Sequence, residues 1–189
     1  MTSDDQIRAL LAAGDARGAA TAALQAQGRD VLGYLRALLR DEHLASDAFS
    51  VFAEHLWRGL PTFRFEASLR TWALRLAWHA ALNVKGEAWN RRVRRLRTGE
   101  ASVLAEQLRT ATAVRVDRQR QVLEKLRTGL SDEECSLLVL RIDKALPWQE
   151  VAAIMAAEGC AVDAAAVAKR FERLKEKLAR RARELGLVE

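Results

Sequence analysis

Apolar residues recur along this chain at intervals of three and four, the spacing that lines one face of an α-helix. Ile7, Leu10 and Leu11 form a short first stripe, with Ser3 and Gln6 in capping-box register and Gly14 as a stop. A second helix is predicted over about 15–40, gathering Val31, Leu35, Leu38 and Leu39. A third, over about 45–58, gathers Phe49, Phe52, Ala53 and Leu56 before Gly59 and Pro61 break the pattern. The fourth starts at Ser68, an N-cap residue, and runs to Lys85 or a few residues beyond. No stretch alternates with period two in β-branched residues for long enough to read as a sheet, so an all-α chain is predicted.

The second half repeats the pattern after an interruption. Thr98-Gly99 follows the Arg-rich run RRVRRLR at 91–97, and residues 98–114 are weakly amphipathic through Leu104, Leu108 and Ala111, a partly helical linker. A helix near 116–128 comes next, then Ser131 and Glu134 as a capping box with Leu130 and Cys135 as its hydrophobic staple. Leu137, Leu138, Leu140 and Ile142 fall inside that helix. Pro147 opens another, with Trp148, Val151, Ile154 and Met155 on one face and Gly159 as its stop. Asp163 is placed to cap the last helix, whose stripe is Val167, Phe171, Leu174 and Leu178. The expected organisation is two small helical domains, 1–97 and 115–189, joined by a linker at 98–114. Two helices around a tight Gly-containing turn, the second strongly basic, have the pattern of a helix-turn-helix.

Projection of 68–85 at 100° per residue puts Leu69, Trp72, Ala73, Leu76, Ala80 and Val84 on a broad core stripe, with Trp72 at its edge beside His79. Trp78 points the other way, flanked by Thr71, Arg75 and Lys85. An outward indole among cations is a stacking platform for unpaired bases. Leu74 and Leu82 also leave the main stripe, however, and a helix sandwiched between two elements would bury Trp78 instead.

Charge sharpens the picture. The net charge of +6 is confined to the second half: residues 1–90 hold ten Lys/Arg and ten Asp/Glu, residues 91–189 twenty-one and fifteen. The clusters at 91–97 and in AKRFERLKEKLARRAR at 168–183 favour a polyanion partner. In the last helix, Ala164, Ala165 and Ala168 are small enough to let the backbone approach a major-groove floor, with Lys169, Arg170 and Arg173 in reach of base edges or phosphates. Composition, at 50% hydrophobic and 30% charged over 189 residues, is that of a globular chain. Cys135 and Cys160 have no partner at ligand spacing and read as reduced, packed thiols. His43, His55 and His79 lack convergent partners, and no nucleophile–base pair, metal cluster or phosphate-binding glycine loop is visible; no enzyme activity, metal or cofactor is expected. The acidic start MTSDDQ and the lack of a membrane-length apolar run lead to the expectation of a cytoplasmic protein without membrane insertion.

Three stretches, ASDAFSVFAEHLWRGLPTFRFEASLRTWALRLAWHAAL, LSDEECSLLVLRIDKALPWQEVAAIMA and DAAAVAKRFERLKEKL, resemble a bacterial RNA polymerase sigma factor of the extracytoplasmic-function (ECF) type, reduced to regions 2 and 4. The block F-R-x-E-x-S-x-R-T-W at 63–72 is the most specific part. The resemblance implies a factor that binds core RNA polymerase, recognises promoter −35 and −10 elements and helps open DNA for transcription initiation. Residues 29–58 would dock on the beta-prime clamp helices through Asp47, Ser50, Val51, Glu54 and Trp57, with the beta flap as a further contact and an anti-sigma factor as a candidate partner. Phe63, Arg64, Phe65, Glu66, Ser68, Arg70, Trp72, Arg75, Trp78, His79 and Lys85 would capture the −10 strand. Trp148, Gln149, Asp163, Ala164, Ala165, Ala168, Lys169, Arg170 and Arg173 would read the −35 element. The chain departs from the family pattern at Ser50-Val51, where Gln-Glu is usual, and at Trp78-His79, where Arg-Asn is usual. Ala166 and Ala168 replace the threonine and lysine common near the start of the recognition helix. A stand-alone helix-turn-helix regulator and a helical adaptor without DNA binding are the alternatives; co-elution with core polymerase separates both from a sigma factor.

Overall fold

The computed structural model describes residues 3–97, 126, 129–156 and 162–187, with side chains from 88 to 97 outside that description. Among the described residues the structure is helical, without a strand. The helices are α1 (Ser3–Ala12), α2 (Ala16–Leu39), α3 (Glu42–Gly59), α4 (Leu69–Arg97), α5 (Asp132–Leu138), α6 (Trp148–Met155) and α7 (Ala164–Glu184). A 3-10 turn, Leu60–Thr62, follows α3, and a π-helical turn, Val139–Asp143, follows α5. The expected linker at 98–114 and most of the expected helix near 116–128 lie outside the described residues.

Local chemistry explains the boundaries. Asp15 and Asp41 cap α2 and α3 by accepting from the Gly18 and Leu44 N–H groups. Ser68 caps α4: its Oγ accepts from the Thr71 N–H at 3.1 Å. Both bonds of the Ser131–Glu134 capping box form at α5, and Leu130 and Cys135 are buried beside it. Pro147 is the N-cap of α6, and Asp163 accepts from Ala165 N–H at α7. α6 ends at Met155, where Ala156 turns extended, earlier than the expected stop at Gly159; Gly159 itself lies outside the described residues. α3 begins three residues ahead of the expected start because Asp41, not a residue nearer 45, supplies the cap.

One cluster of buried side chains runs through both halves. Ile7 of α1, Val31, Tyr34, Leu35 and Leu38 of α2, and Phe52 and Leu56 of α3 surround α4 on one side. Leu140, Val151, Ile154, Val167, Phe171 and Leu174 continue the cluster through the π-helical turn, α6 and α7. α4 packs on α2, α3 and α6, and its first part is buried on both sides: Leu69, Ala73, Leu74, Ala77, Ala80, Ala81 and Val84 are each at most 4% exposed.

Polar contacts fix the second half against the first. The Asp30 carboxylate on α2 is shared by Arg70 of α4, at 3.1 Å, and by the ammonium of Lys144, which also donates to the Asp30 carbonyl. The buried Tyr34 hydroxyl is hydrogen-bonded to Ser136 Oγ at 2.6 Å, and burial pushes the phenol pKa up. Lys85 pairs with Asp132. Thr71 Oγ1 donates to Glu150 at 2.6 Å; with its proton committed there, the neighbouring Ser68 hydroxyl is the donor in the Ser68–Thr71 pair.

Burial raises the Asp30 pKa, but hydrogen bonds and charge from Lys144 and Arg70 outweigh it and hold the carboxyl below its ordinary 3.8. Its contribution to stability is therefore complete above that value and is lost as pH falls through the lowered folded one. Asp30→Asn should cost about 1–3 kcal/mol in urea unfolding near neutral pH, because the Lys144 ammonium loses its charged acceptor. The gap between parent and variant should narrow as pH is lowered from about 6 to about 3.

Candidate nucleic-acid interface

The loop between α3 and α4 carries an aromatic column. The Phe63 ring stacks on Trp72 with centroids 4.6 Å apart and planes 22° apart, and lies 4.6 Å from Phe65 on a tilted approach. Trp72 passes close to Gly59, where a Cβ would sit 3.1 Å from the indole; glycine there lets the loop fold onto the ring. Phe65 has φ +57°, a left-handed conformation that costs a non-glycine residue about 1–2 kcal/mol and must be held by its surroundings. Around the rings, Arg64 and Glu66 stand out into solvent, 84% and 78% exposed, 3.9 Å apart.

Trp78 does not face outward. It is 4% exposed, with Thr71 at 3%; of the two arrangements the sequence left open, the sandwiched one is found, and the outward platform is corrected. The reason is tertiary: α6 and the start of α5 cover that side of α4. Trp78 lines a cleft of about 440 Å³ with His55, Leu76, His79 and Leu82 on one wall and Glu133 and Met155 on the other. Leu82 is 40% exposed at its rim. Of the other residues expected on this helix, Arg70 and Lys85 are ion-paired with Asp30 and Asp132, and Arg75 and His79 are half-buried.

On α3, Asp47, Ser50, Glu54 and Trp57 are exposed and Val51 is half-buried; at 100° per residue the five span about 120° of one face. Trp57 is 47% exposed beside the Glu54–Arg58 ion pair. On α7, Lys169, Arg170 and Arg173 are exposed, outside the buried stripe of Val167, Phe171 and Leu174. Ala164 and Ala168 are half-buried and Ala165 is exposed at the same end, with Asp163 exposed as the cap. Arg170 and Arg173 border a groove of about 590 Å³ whose floor includes Leu137, Met155 and Leu174. Lys177, one turn past Arg173 on the same helix, is neutralised by Glu134, at 2.7 and 2.9 Å. Burial raises the Glu134 pKa, but Lys177 and the Ser131 backbone hold the carboxyl below its usual range.

Trp148, expected on the apolar face of its helix and also among the −35 residues, is half-buried. Its ring packs 5.3 Å from Phe171 under the Arg141 guanidinium, 4.5 Å from the centroid, so it joins α6 to α7; Gln149 beside it is exposed. Sequence reasoning also missed Asp30, Tyr34 and Thr71. Asp30 and Tyr34 stand four apart on the apolar side of α2, and a carboxylate there was the one available signal.

Two comparisons bear on this arrangement. Residues 24–97 match the family model described as Sigma-70 region 2, a span that runs from within α2 to the end of α4 and covers less than half of the 189 residues. No curated protein matches the chain. The match is a likeness to Sigma-70 region 2 over those residues alone. No helix among the described residues is long and apolar enough to cross a membrane.

Trp78→Ala should leave a cavity between α4 and α6 and cost about 3–5 kcal/mol in chemical denaturation. A variant as stable as the parent would mean that the indole does not carry this packing.

Proposed function

We propose that this chain is a sigma factor of the ECF type with two DNA-reading units: a region 2 unit over 1–97, a linker over 98–114 and a region 4 unit with a helix-turn-helix over 115–189. The match of residues 24–97 to Sigma-70 region 2 is the observation that carries this reading. The factor brings no covalent chemistry; it positions core polymerase and holds promoter DNA by contact.

In this reading the aromatic loop and the start of α4 capture the −10 strand, with Phe63, Phe65 and Trp72 as stacking groups and Arg64, Arg70, Arg75 and Lys85 as the cations around them. Arg70 and Lys85 exchange a protein carboxylate for phosphate when DNA arrives. Trp78 supports the helix from within. α7 reads the −35 duplex: its small first turn approaches the groove, and Lys169, Arg170 and Arg173 face the DNA. The exposed face of α3 around Trp57 and Val51 docks on the clamp helices. With Ser50 and Val51 in place of the usual acidic and amide pair, apolar burial carries that contact.

Transcription of a genomic library by core polymerase with and without the protein, followed by mapping of start sites, tests the whole reading. New starts preceded by two separated elements are expected; a two-fold symmetric operator bound without polymerase would identify a stand-alone regulator instead. Replacing Arg170 and Arg173 together with Ala should weaken −35 duplex binding by about 1–3 kcal/mol per lost base contact and flatten its salt dependence. Core binding, in contrast, should survive moderate salt in a pull-down, because burial of apolar surface is not screened as exposed ion pairs are.

A further inference from the structure

α1 lies before the segment that matches region 2, and none of the roles above uses it. It is nevertheless built into the loop that carries the aromatic column. Ile7 is buried and Leu10 and Leu11 pack against the core, which anchors α1 along α2. That anchoring aims two polar side chains at the loop. Asp4 Oδ2 accepts a hydrogen bond from the Leu69 N–H, 3.1 Å away, so a residue 65 positions earlier holds the first amide of α4. Arg8 lays its guanidinium 4.6 Å from the Phe65 ring centroid. The order in space is Arg8, Phe65, Phe63, Trp72: a cation capping a column of three rings.

Phe65 is the residue whose backbone is strained, and Arg8 is the group that covers its ring. A left-handed phenylalanine persists only where its surroundings select it over relaxed alternatives. Asp4 fixes the far end of the same loop at the start of α4. Arg8 is itself exposed, so the guanidinium edge turned from the ring is open to solvent and to a phosphate or base.

We propose that α1 is part of the strand-capture site: Arg8 contacts the single strand at the end of the aromatic column, and Asp4 is a positioning residue that holds the loop and the start of α4 in the capturing geometry. This rests on the sigma-factor reading of the preceding subsection and extends its −10 surface beyond the matched segment. The ligand is unpaired DNA, recognised by stacking and by one cation on its backbone.

The test uses the full chain assembled with core polymerase and two labelled probes, a forked DNA with a single-stranded −10 segment and a duplex −35 fragment. Arg8→Ala should weaken fork binding about tenfold, the range of one lost stacking or cation contact, and leave −35 duplex binding unchanged. Arg8→Lys, which keeps the charge and weakens the stack, should fall between. Asp4→Ala should reduce fork capture, whereas Asp4→Asn, whose side-chain oxygen still accepts from Leu69 N–H, should retain it; a loss caused by general destabilisation would weaken the duplex arm as well. Equal fork binding by parent and Arg8→Ala overturns the proposal. Tighter fork binding by Arg8→Ala or Asp4→Ala also overturns it, because α1 would then obstruct the site. A parent that fails to bind the fork with core polymerase removes the sigma-factor reading itself, and this inference with it.

Discussion

The structure depends on one constraint: over 69–84, α4 is apolar on two opposite sides and must be covered on both. A helix with a single apolar stripe packs once and leaves its other face to water; one with apolar residues all round must be enclosed. α2 and α3 cover Leu69, Ala73 and Ala80, and α6 with the start of α5 covers the side that holds Trp78. The second cover lies more than fifty residues further along the chain. α4 is therefore where the two halves meet, and their shared buried cluster follows from that.

Hydrophobic burial alone would not choose the register of that meeting. Asp30 supplies direction, because a half-buried carboxylate is tolerable only with partners, and it has two, one from each half of the chain. Tyr34–Ser136, Thr71–Glu150 and Lys85–Asp132 add three more points along the same seam. In the promoter-binding reading this seam has a consequence for DNA. α7 presents its cations to solvent while Arg70, Thr71 and Lys85 are engaged with protein groups, so the duplex-reading face is open and part of the strand-reading face must exchange partners.

Much of the fold was legible because its signals are local. The stripes of α2, α3 and α7, the capping box at Ser131–Glu134 and the caps at Ser68 and Asp163 depend on residues within a few positions of one another, and each stands as the sequence pattern predicts. The aromatic loop was legible as a motif in F-R-F-E-A-S-L-R-T-W, although its stacking order was not.

By itself the sequence determined most of the helical segments among the described residues, several of their caps and one apolar face of each, because those properties arise from spacing along the backbone. Only the tertiary structure decided what covers the second face of α4. Trp78 among Thr71, Arg75 and Lys85 has the same helical address whether it faces water or a second layer, and the difference is made by the packing of α6 on α4. The same holds for the partners of Trp148, Phe171 and Arg141, and for Asp4 and Arg8, joined to the loop by the packing of α1. Contacts between residues tens of positions apart leave no periodic trace in the chain, since they depend on how finished helices fit together rather than on how any one of them forms.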